Sequence, residues 1–283
     1  MQDIIKKAEV LIEALPYIHT FRKKTVVIKY GGSILSDEKI RHGVLQDIVF
    51  LSFIGIKPVL VHGGGMNITE RMKTSGKKAE FVEGMRVTDE ETLKIVAEEL
   101  EVLNHTIVKE IIALRGHAAG LKGNSGIIEA RKKRGKKDLG FVGEIAEVNT
   151  EAISSYLDKE IIPVITPMGQ GKDKHIYNIN ADETASAVSV ALSAEKFVLL
   201  TNVKGVMRHT EDEDSFISTL NAREARQMIK EHIIQEGMIP KIEACLAAVE
   251  NGVGKTHIIN AKISHALLLE IFTDKGIGTE IVQ

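Results

Sequence analysis

The sequence has 283 residues, which is enough for one or two α/β units. Hydrophobic residues make up 43% of it, and 37 lysines and arginines against 39 acids leave a net charge of -2, which argues against nucleic acid as the main partner. The single cysteine, Cys245, excludes an internal disulfide, and no apolar run is long enough to span a membrane. Because residues 1–20 also lack the apolar core of a signal peptide, we expect a soluble cytoplasmic protein.

The first predicted element is an amphipathic helix over residues 1–20, in which Ile4, Ala8, Ile12 and Leu15 recur at helical spacing. Periodicity alone favours packing of this apolar face on its own domain. The alternative is an arm that binds a partner subunit.

Short apolar runs alternate with helical patterns along the rest of the chain. The runs predict strands over 25–30, 57–62, 161–166, 196–201 and 256–260. Helices are predicted over 38–54, 67–75, 89–114, 184–193, 222–235 and 241–250. This alternation indicates crossover connections and a mostly parallel sheet.

Two details of this pattern are specific enough to test. Thr88 and Glu91 predict a capping box at the start of the third of these helices. The stretch from Gly116 to Val148 is richer in glycine and charge and predicts hairpins. Its basic run, 131–137, is predicted to be a solvated hairpin tip, with an anion-binding patch as the alternative.

Glycines follow two of the predicted strands. The first strand ends in Lys29, Gly31 and Gly32, and the second ends in the run His62-Gly63-Gly64-Gly65 before a helix. Ligands of open α/β sheets bind beyond the carboxyl ends of the strands, where a lysine charge and exposed N–H groups can hold phosphates. The N-terminus of a helix adds the positive end of the helix dipole to such a phosphate site. The alternative for the three glycines is a tight turn.

Polar residues of three further segments are candidate binding groups. Arg86 precedes a helix and could clamp a carboxylate, or be a surface arginine. If their segment is extended, Asn178, Asn180 and Asp182 share one face and could bind a small polar ligand. The alternative is a capped helix start. Lys241 begins a helix, where a cation opposes the dipole and suggests a nearby anion, unless it is simply solvated.

The motifs IKYGG, VHGGG, GMRVT, NINADE, LLTNVKGV and GMIPK, in this order, resemble the amino acid kinase family from about Phe21 to the C-terminus. The most similar branch uses ATP to phosphorylate the side-chain carboxylate of N-acetyl-L-glutamate in the second step of arginine biosynthesis. The resemblance implies a single α/β domain over residues 1–283, a three-layer sandwich around a mostly parallel central sheet. The helix of residues 1–20 would serve oligomerisation. An N-terminal lobe, 21–180, would hold the substrate and a dimer interface, and a C-terminal lobe, 181–283, the nucleotide.

The resemblance also assigns roles to single residues. The residues that would stabilise the transferring phosphoryl group are Lys29 and Lys241, and Asp182 would orient these two lysines. Those that would bind N-acetyl-L-glutamate are Gly64, Gly65, Arg86, Asn178 and Asn180. Those that would border ATP are Gly31, Gly32, Thr201, Asn202, Gly205 and Met238. Mg²⁺ would be held mainly through ATP oxygens, with no metal ligands from the protein.

The N-terminal helix and the stretch that begins at His265 resemble arginine-sensitive members of the family. In these, the helices interlace dimers into a ring-shaped hexamer. The resemblance thus implies a homo-oligomer, either a dimer or a hexamer, and feedback inhibition by L-arginine. The implied effector site consists of Lys196, His265, Glu270 and Gly276. The alternative for His265 and Glu270 is an ordinary helix surface.

Two other functions stay open at this point. One is a kinase of the same family that acts on another acidic or carbamoyl substrate. The other is a weakly catalytic sensor that binds an effector. Only the motif TNVKG favours the sensor, because Asn202 and Lys204 stand where relatives often have acids.

Overall fold

The computed structural model describes residues 1–135, 137–209, 212–234, 237–273 and 276–283. Lys136 of the basic run and Gln235, the predicted end of one helix, lie outside these ranges. The α-helices are α1 (Gln2–Phe21), α2 (Glu38–Phe53), α3 (Gly65–Thr74), α4 (Glu90–Ala113), α5 (Thr150–Leu157), α6 (Ala181–Ala191), α7 (Ala222–Lys230), α8 (Ile239–Glu250) and α9 (Ala266–Ile271). None of the helices in the described ranges combines the length and apolar character that a bilayer crossing requires.

The strands are β1 (Thr25–Tyr30), β2 (Lys57–His62), β3 (Phe81–Val82), β4 (Met85–Arg86), β5 (Ala118–Leu121), β6 (Ile128–Lys132), β7 (Gly143–Val148), β8 (Ile162–Ile165), β9 (Met168–Gln170), β10 (Ile176–Asn178), β11 (Lys196–Thr201), β12 (Val206–Met207), β13 (Phe216–Ile217), β14 (Thr219–Asn221), β15 (Lys255–Asn260) and β16 (Thr279–Val282). Each of the five predicted strands is present, with ends within one residue of those expected.

The central sheet of the described chain has eight strands, in the order β14-β16-β15-β11-β1-β2-β8-β5. Every pairing from β15 to β5 is parallel, and β16 runs antiparallel to β15. The predicted mostly parallel sheet is therefore confirmed. Because β1 lies between β11 and β2, its carboxyl end lies in the middle of the edge where ligands bind.

Alternate side chains of β1 enter two different hydrophobic layers. Val27 packs in the layer that includes Ala185 of α6 and Ala244 of α8. Ile28 packs on the opposite face, in the layer that includes Leu45 of α2 and Ile107 of α4. Side chains of a strand point alternately to the two faces of a sheet, so a strand covered on both sides is apolar throughout. The predicted three-layer sandwich is confirmed.

The stretch from Gly116 to Val148 is only partly a hairpin. Strands β6 and β7 pair antiparallel, as predicted. Strand β5, however, pairs in parallel with β8 at the edge of the central sheet, so the hairpin prediction is wrong there. Its sequence, AAGL, has neither the β-branched residues nor the alternation that identify a strand.

Helix α4 begins one residue later than the predicted capping box requires. Asp89 is the N-cap, and its carboxylate accepts a hydrogen bond of 2.8 Å from the Thr92 N–H. Thr88 is fully buried, and its hydroxyl donates to the Arg86 carbonyl at 2.7 Å. The capping box of Thr88 and Glu91 is therefore wrong, because Asp89 is an equally good cap that also lets Thr88 stay in the core.

Among the described side chains of α1, those at its C-terminal end pack on their own chain. Tyr17 makes an edge contact with Phe272 at 6.3 Å between ring centroids, and Phe21 packs against the core. Upstream, Ala8 is exposed, and Ile12 and Leu15 are 64% and 52% exposed. The expectation that this face packs on its own domain is wrong for these residues, while the side chain of Ile4 lies outside the description.

Candidate active site

A cavity of about 590 Å³ lies beyond the carboxyl ends of β1 and β2. It brings together residues that the sequence places far apart: Lys29, Gly32, Gly64, Gly65, Arg86, Asn178, Asn180 and Asp182. A second cavity, of about 300 Å³, is lined in part by Asn202, Gly205, Met238 and Lys241.

A buried carboxylate joins two lysines between these cavities. Asp182, in the first turn of α6, has its Oδ1 2.8 Å from Lys29 Nζ and its Oδ2 3.5 Å from Lys241 Nζ. Burial alone would raise the pKa of Asp182, but the charges and hydrogen bonds of the two lysines hold it below its usual value. Asp182 is therefore an anion that positions two ammonium groups from different elements.

In the turn after β1, a side chain at Gly31 would crowd Lys29. A Cβ on Gly31 would lie 3.1 Å from Lys29 Nζ and 3.4 Å from the Gly63 Cα. Gly32 has φ +71°, in the left-handed region that glycine adopts without strain. Both glycines keep the backbone open beside the lysine, as a phosphate-binding turn requires.

The glycine run after β2 forms the start of α3. Gly64 is the N-cap and Gly65 is the first residue of the helix. The first N–H groups of a helix have no acceptor within it, and they carry the positive end of the dipole. Since both glycines line the first cavity, this start is suited to an anion, and it is also the tight turn that was the alternative.

Arg86 is 7% exposed and lines the cavity, so its interpretation as a surface arginine is wrong. Its guanidinium donates to the Gly65 carbonyl at 2.9 Å, the Thr69 hydroxyl at 2.8 Å and the Met72 sulfur at 3.1 Å, and it lies 4.7 Å from the Phe81 ring centre. These partners are neutral, and burial lowers the pKa of Arg86. A buried cation held by neutral groups is suited to an anionic ligand.

Thr69 and Met72 were not predicted as site residues. They lie three apart on α3 and therefore share the helix face that meets Arg86. The spacing is visible in the sequence, but nothing in it says which face turns toward the arginine.

The two asparagines do not share an extended face with Asp182, because α6 begins at Ala181. The Asn180 side chain is the N-cap and accepts from the N–H groups of Asp182 and Glu183, at 2.8 and 3.3 Å. Asn178 ends β10 and donates to the Thr88 hydroxyl at 3.2 Å. The capped helix start, which was the alternative, is therefore the structure, although both asparagines still line the cavity.

Thr201 is not among the lining residues of the second cavity, although it was predicted to border ATP. Its hydroxyl donates to the Val203 carbonyl at 2.9 Å and accepts from the Val203 N–H at 3.2 Å. Gly205 does line the cavity, and a Cβ there would lie 2.5 Å from the Thr279 hydroxyl oxygen. Thr201 thus shapes the turn that carries Asn202 and Gly205.

Three of the four predicted effector residues lie behind the last turn of α1. Lys196 is 8% exposed, with its Nζ 5.0 Å from the Phe21 ring centre. Glu270 is 5% exposed, so its interpretation as helix surface is wrong. A Cβ on Gly276 would lie 2.7 Å from Glu270 Oε1. Burial lowers the pKa of Lys196, and the nearby Glu270 charge opposes that shift.

Glu270 is held in place by its own chain. Its Oε1 lies 2.6 Å from His257 Nδ1, and its Oε2 accepts from the N–H groups of Ile277 and Gly278, at 2.8 and 3.1 Å. Burial would raise the pKa of Glu270, but His257 and these donors keep it below its usual value. His265 makes a different contact, 2.6 Å from the buried Asp47 Oδ1, with its side chain 55% exposed.

The sequence model of the amino acid kinase family matches residues 24–260, and the chain belongs to this family. It is similar to the acetylglutamate kinase of Caldanaerobacter subterraneus subsp. tengcongensis, with 48% identity over 99% of this chain and 94% of that protein.

Two solved structures of N-acetylglutamate synthase from Neisseria gonorrhoeae are also similar. The complex with coenzyme A and N-acetyl-glutamate has a TM-score of 0.88 at 27% identity and covers 98% of this chain. The complex with coenzyme A and L-arginine has a TM-score of 0.83 at 29% identity and covers 97%. This chain spans 63% and 65% of those two chains.

Proposed function

We propose that the chain transfers the γ-phosphoryl group of ATP to the side-chain carboxylate of N-acetyl-L-glutamate, forming an acyl phosphate. The observation that carries the proposal is the pairing of Lys29 and Lys241 on one buried carboxylate, Asp182. Arg86 and the start of α3 lie on one side of these three residues, in the first cavity. The second cavity, which Gly205 lines, lies on the other side. The similarity to acetylglutamate kinases supports the same acceptor.

The lysines act on the charge of the reaction. An acceptor carboxylate oxygen forms a new bond to the γ-phosphorus as the bond to the ADP oxygen breaks, so no protein nucleophile is required. Two unit charges of like sign 4 Å apart repel each other by about 4 kcal/mol at an effective dielectric near 20. The ammonium groups of Lys29 and Lys241 offset this repulsion, and Asp182 fixes where they lie.

We propose that Mg²⁺ is held by nucleotide oxygens. Within the described ranges, no group of three or more His, Cys, Asp or Glu residues could hold a metal ion. Asp182 fits this arrangement, because each of its oxygens already faces a lysine. The ion would supply further charge neutralisation on the phosphates.

A single assay tests the proposal. The full chain is incubated with ATP, Mg²⁺ and N-acetyl-L-glutamate, and the acyl phosphate is trapped with hydroxylamine. We expect hydroxamate with this acceptor and little with glutamate or aspartate. Hydroxamate with another acceptor alone would favour a kinase of the same family that acts on that acceptor. No hydroxamate with any acceptor would favour the weakly catalytic sensor.

Replacing Arg86 with lysine is expected to raise the KM for N-acetyl-L-glutamate about 10–100-fold, because a hydrogen bond to a charged group contributes about 1.5–3 kcal/mol. Lysine keeps the charge but loses the fork that holds a carboxylate by two bonds. The KM for ATP should not change. Arg71→Lys is the control, since Arg71 lies on α3 with more than half of its side chain exposed. Equal KM values in the two variants would contradict the clamp.

We further propose that L-arginine binds between α1 and α9 and inhibits the enzyme. Glu270 offers a carboxylate that its own chain fixes, near Lys196 and beside Gly276, where a Cβ would collide with it. A guanidinium or amino group suits the carboxylate, and the ligand's carboxylate suits Lys196. The related synthase in complex with L-arginine supports this ligand. His265 would border the site.

Glu270→Gln is expected to raise the arginine concentration for half-inhibition at least about tenfold, because it removes the charge that pairs with the ligand. The measurement is an inhibition curve with millimolar arginine. Glu151→Gln, at an exposed position of α5, is the control. A wild-type rate that arginine leaves untouched would rule out the feedback proposal.

We also propose a homo-oligomer. The exposed apolar residues of α1 include Val10, Leu11, Ile12 and Leu15. Exposed apolar side chains of this kind are suited to burial against a second copy of the chain. Light scattering on the full chain distinguishes dimer from hexamer, and a monomer at micromolar concentration would contradict the proposal.

A further inference from the structure

A buried polar network lies directly under the glycine run that follows β2. His62 is fully buried and Asn104, on α4, is 6% exposed. His62 Nδ1 lies 3.1 Å from the Gly63 carbonyl oxygen, and His62 Nε2 lies 3.1 Å from Asn104 Nδ2. Asn104 Nδ2 also donates to the Val164 carbonyl at 2.9 Å. Buried polar groups need partners, and this network satisfies its members with one another.

The partners fix where the histidine proton lies. A carbonyl oxygen only accepts, so the Asn104 atom that faces Val164 is its nitrogen. The second proton of that nitrogen points at His62 Nε2, which must therefore accept. The ring proton then lies on Nδ1 and is donated to Gly63. Burial lowers the pKa of His62 to about 4, so this neutral form persists at neutral pH.

The Gly63–Gly64 peptide needs such a restraint. The preceding peptide is held in the sheet, where the Gly63 N–H donates to the Tyr30 carbonyl at 2.8 Å. The following one is held in α3, where the Gly64 carbonyl accepts from the Ile68 N–H at 2.9 Å. The peptide between them is flanked by two glycines, whose freedom in φ and ψ allows its plane to turn over.

We propose that His62 is a positioning residue that aims the Gly64 N–H into the substrate cavity. In a planar trans peptide the carbonyl and the N–H point in opposite directions. Because His62 holds the Gly63 oxygen on the core side, the Gly64 N–H faces the cavity that Gly63 and Gly64 line. A flipped plane would present the carbonyl oxygen to the anionic substrate instead. The inference rests on the proposed function, since that anion is N-acetyl-L-glutamate.

Two substitutions distinguish the hydrogen bond of His62 Nδ1 from that of His62 Nε2. In His62→Asn the amide can take the place of Nδ1 and donate to Gly63, whereas in His62→Gln it can take the place of Nε2 and reach only Asn104. Both remove the ring, so a merely structural role lowers the melting temperature and the activity of both. We expect kcat/KM for N-acetyl-L-glutamate to be about tenfold lower in His62→Gln than in His62→Asn. That loss is smaller than the 10²–10³ that removal of a preorganised donor itself costs.

The loss should appear in the KM for the acceptor and not in the KM for ATP. His105→Gln, exposed on α4, is the control for a histidine outside the network. Equal kcat/KM in the two His62 variants would overturn the inference. A wild type that forms no hydroxamate with N-acetyl-L-glutamate would instead overturn the proposed function.

The ring tautomer gives a second readout that needs no variant. ¹⁵N NMR of the full wild-type chain with labelled histidine reports which ring nitrogen of His62 carries the proton. A proton on Nδ1 supports the inference, and a proton on Nε2 overturns it. This readout tests the hydrogen bond that the inference requires even where both His62 variants fail to fold.

Discussion

Replacing Lys29 with alanine is expected to lower kcat by at least about 10²–10³, the usual cost of removing one preorganised group that stabilises a developing charge. Lys29 meets this description because its ammonium group lies 2.8 Å from Oδ1 of the buried Asp182, which fixes its position. The measurement is steady-state turnover in the hydroxamate assay at saturating ATP and acceptor.

The control for this variant is Lys24→Ala. Lys24 lies just before the same strand and pairs with Glu195 at 3.1 Å, with its side chain 53% exposed. A surface pair of this kind contributes about 0–1 kcal/mol to stability, so Lys24→Ala should keep both its fold and its kcat. A kcat for Lys29→Ala close to that of Lys24→Ala would show that Lys29 does not take part in the reaction.

The fold could be predicted well because its central strands have a strong local signal. The run from Val26 to Ile28 is β-branched and apolar on both faces, and such runs are typical of strands buried between two layers. Strand β5 carries no such signal. Its Ala118–Leu121 segment becomes a strand because β8 offers it a free edge, and that is a property of the assembled sheet.

The site could be predicted as a set of residues but not as a geometry. Lys29, Asp182 and Lys241 were all expected, with Asp182 as the group that orients the two lysines, but its distances of 2.8 and 3.5 Å to them come only from the structure. Helix boundaries caused the errors. Asn180 is a good N-cap, and its capping bonds decide that Asp182 lies in a helix and not on an extended face.

Buried polar partners were the hardest part to predict. His62 lies inside the glycine motif, but its partner Asn104 lies on the buried face of α4, 42 positions away. A lone asparagine in such a helix gives no sign of what it contacts. The surroundings of Glu270 could not be predicted for the same reason, because Ile277 and Gly278, whose N–H groups donate to its carboxylate, follow α9 in an irregular segment.

Asp182→Asn tests the same triad from the side of the anion. The amide keeps the shape of the carboxylate but removes the charge that holds Lys29 and Lys241. Removal of one partner of a buried pair typically costs about 3–5 kcal/mol, so we expect a loss of that order in the free energy of unfolding at pH 7. The kcat should fall about 10²-fold, the cost of misplacing reacting groups by about 1 Å. Asp158→Asn is the control, because Asp158 pairs with Lys57 at the surface, with its own side chain 68% exposed.

The wild type and Asp182→Asn should differ in their free energy of unfolding, and the pH dependence of that difference shows whether the charge of Asp182 or its packing is responsible. The pKa of Asp182 is lower in the folded protein than the value of about 3.9 in an unfolded chain. The carboxylate therefore stabilises the fold above pH 3.9, and this contribution is lost as the pH falls through the folded pKa. Urea unfolding of the wild type and Asp182→Asn should accordingly give curves that converge below pH 3.9. A gap that stays constant down to pH 3 would mean that packing, and not the anion, accounts for the difference, and Asp182 would then not be the organiser of the two lysines.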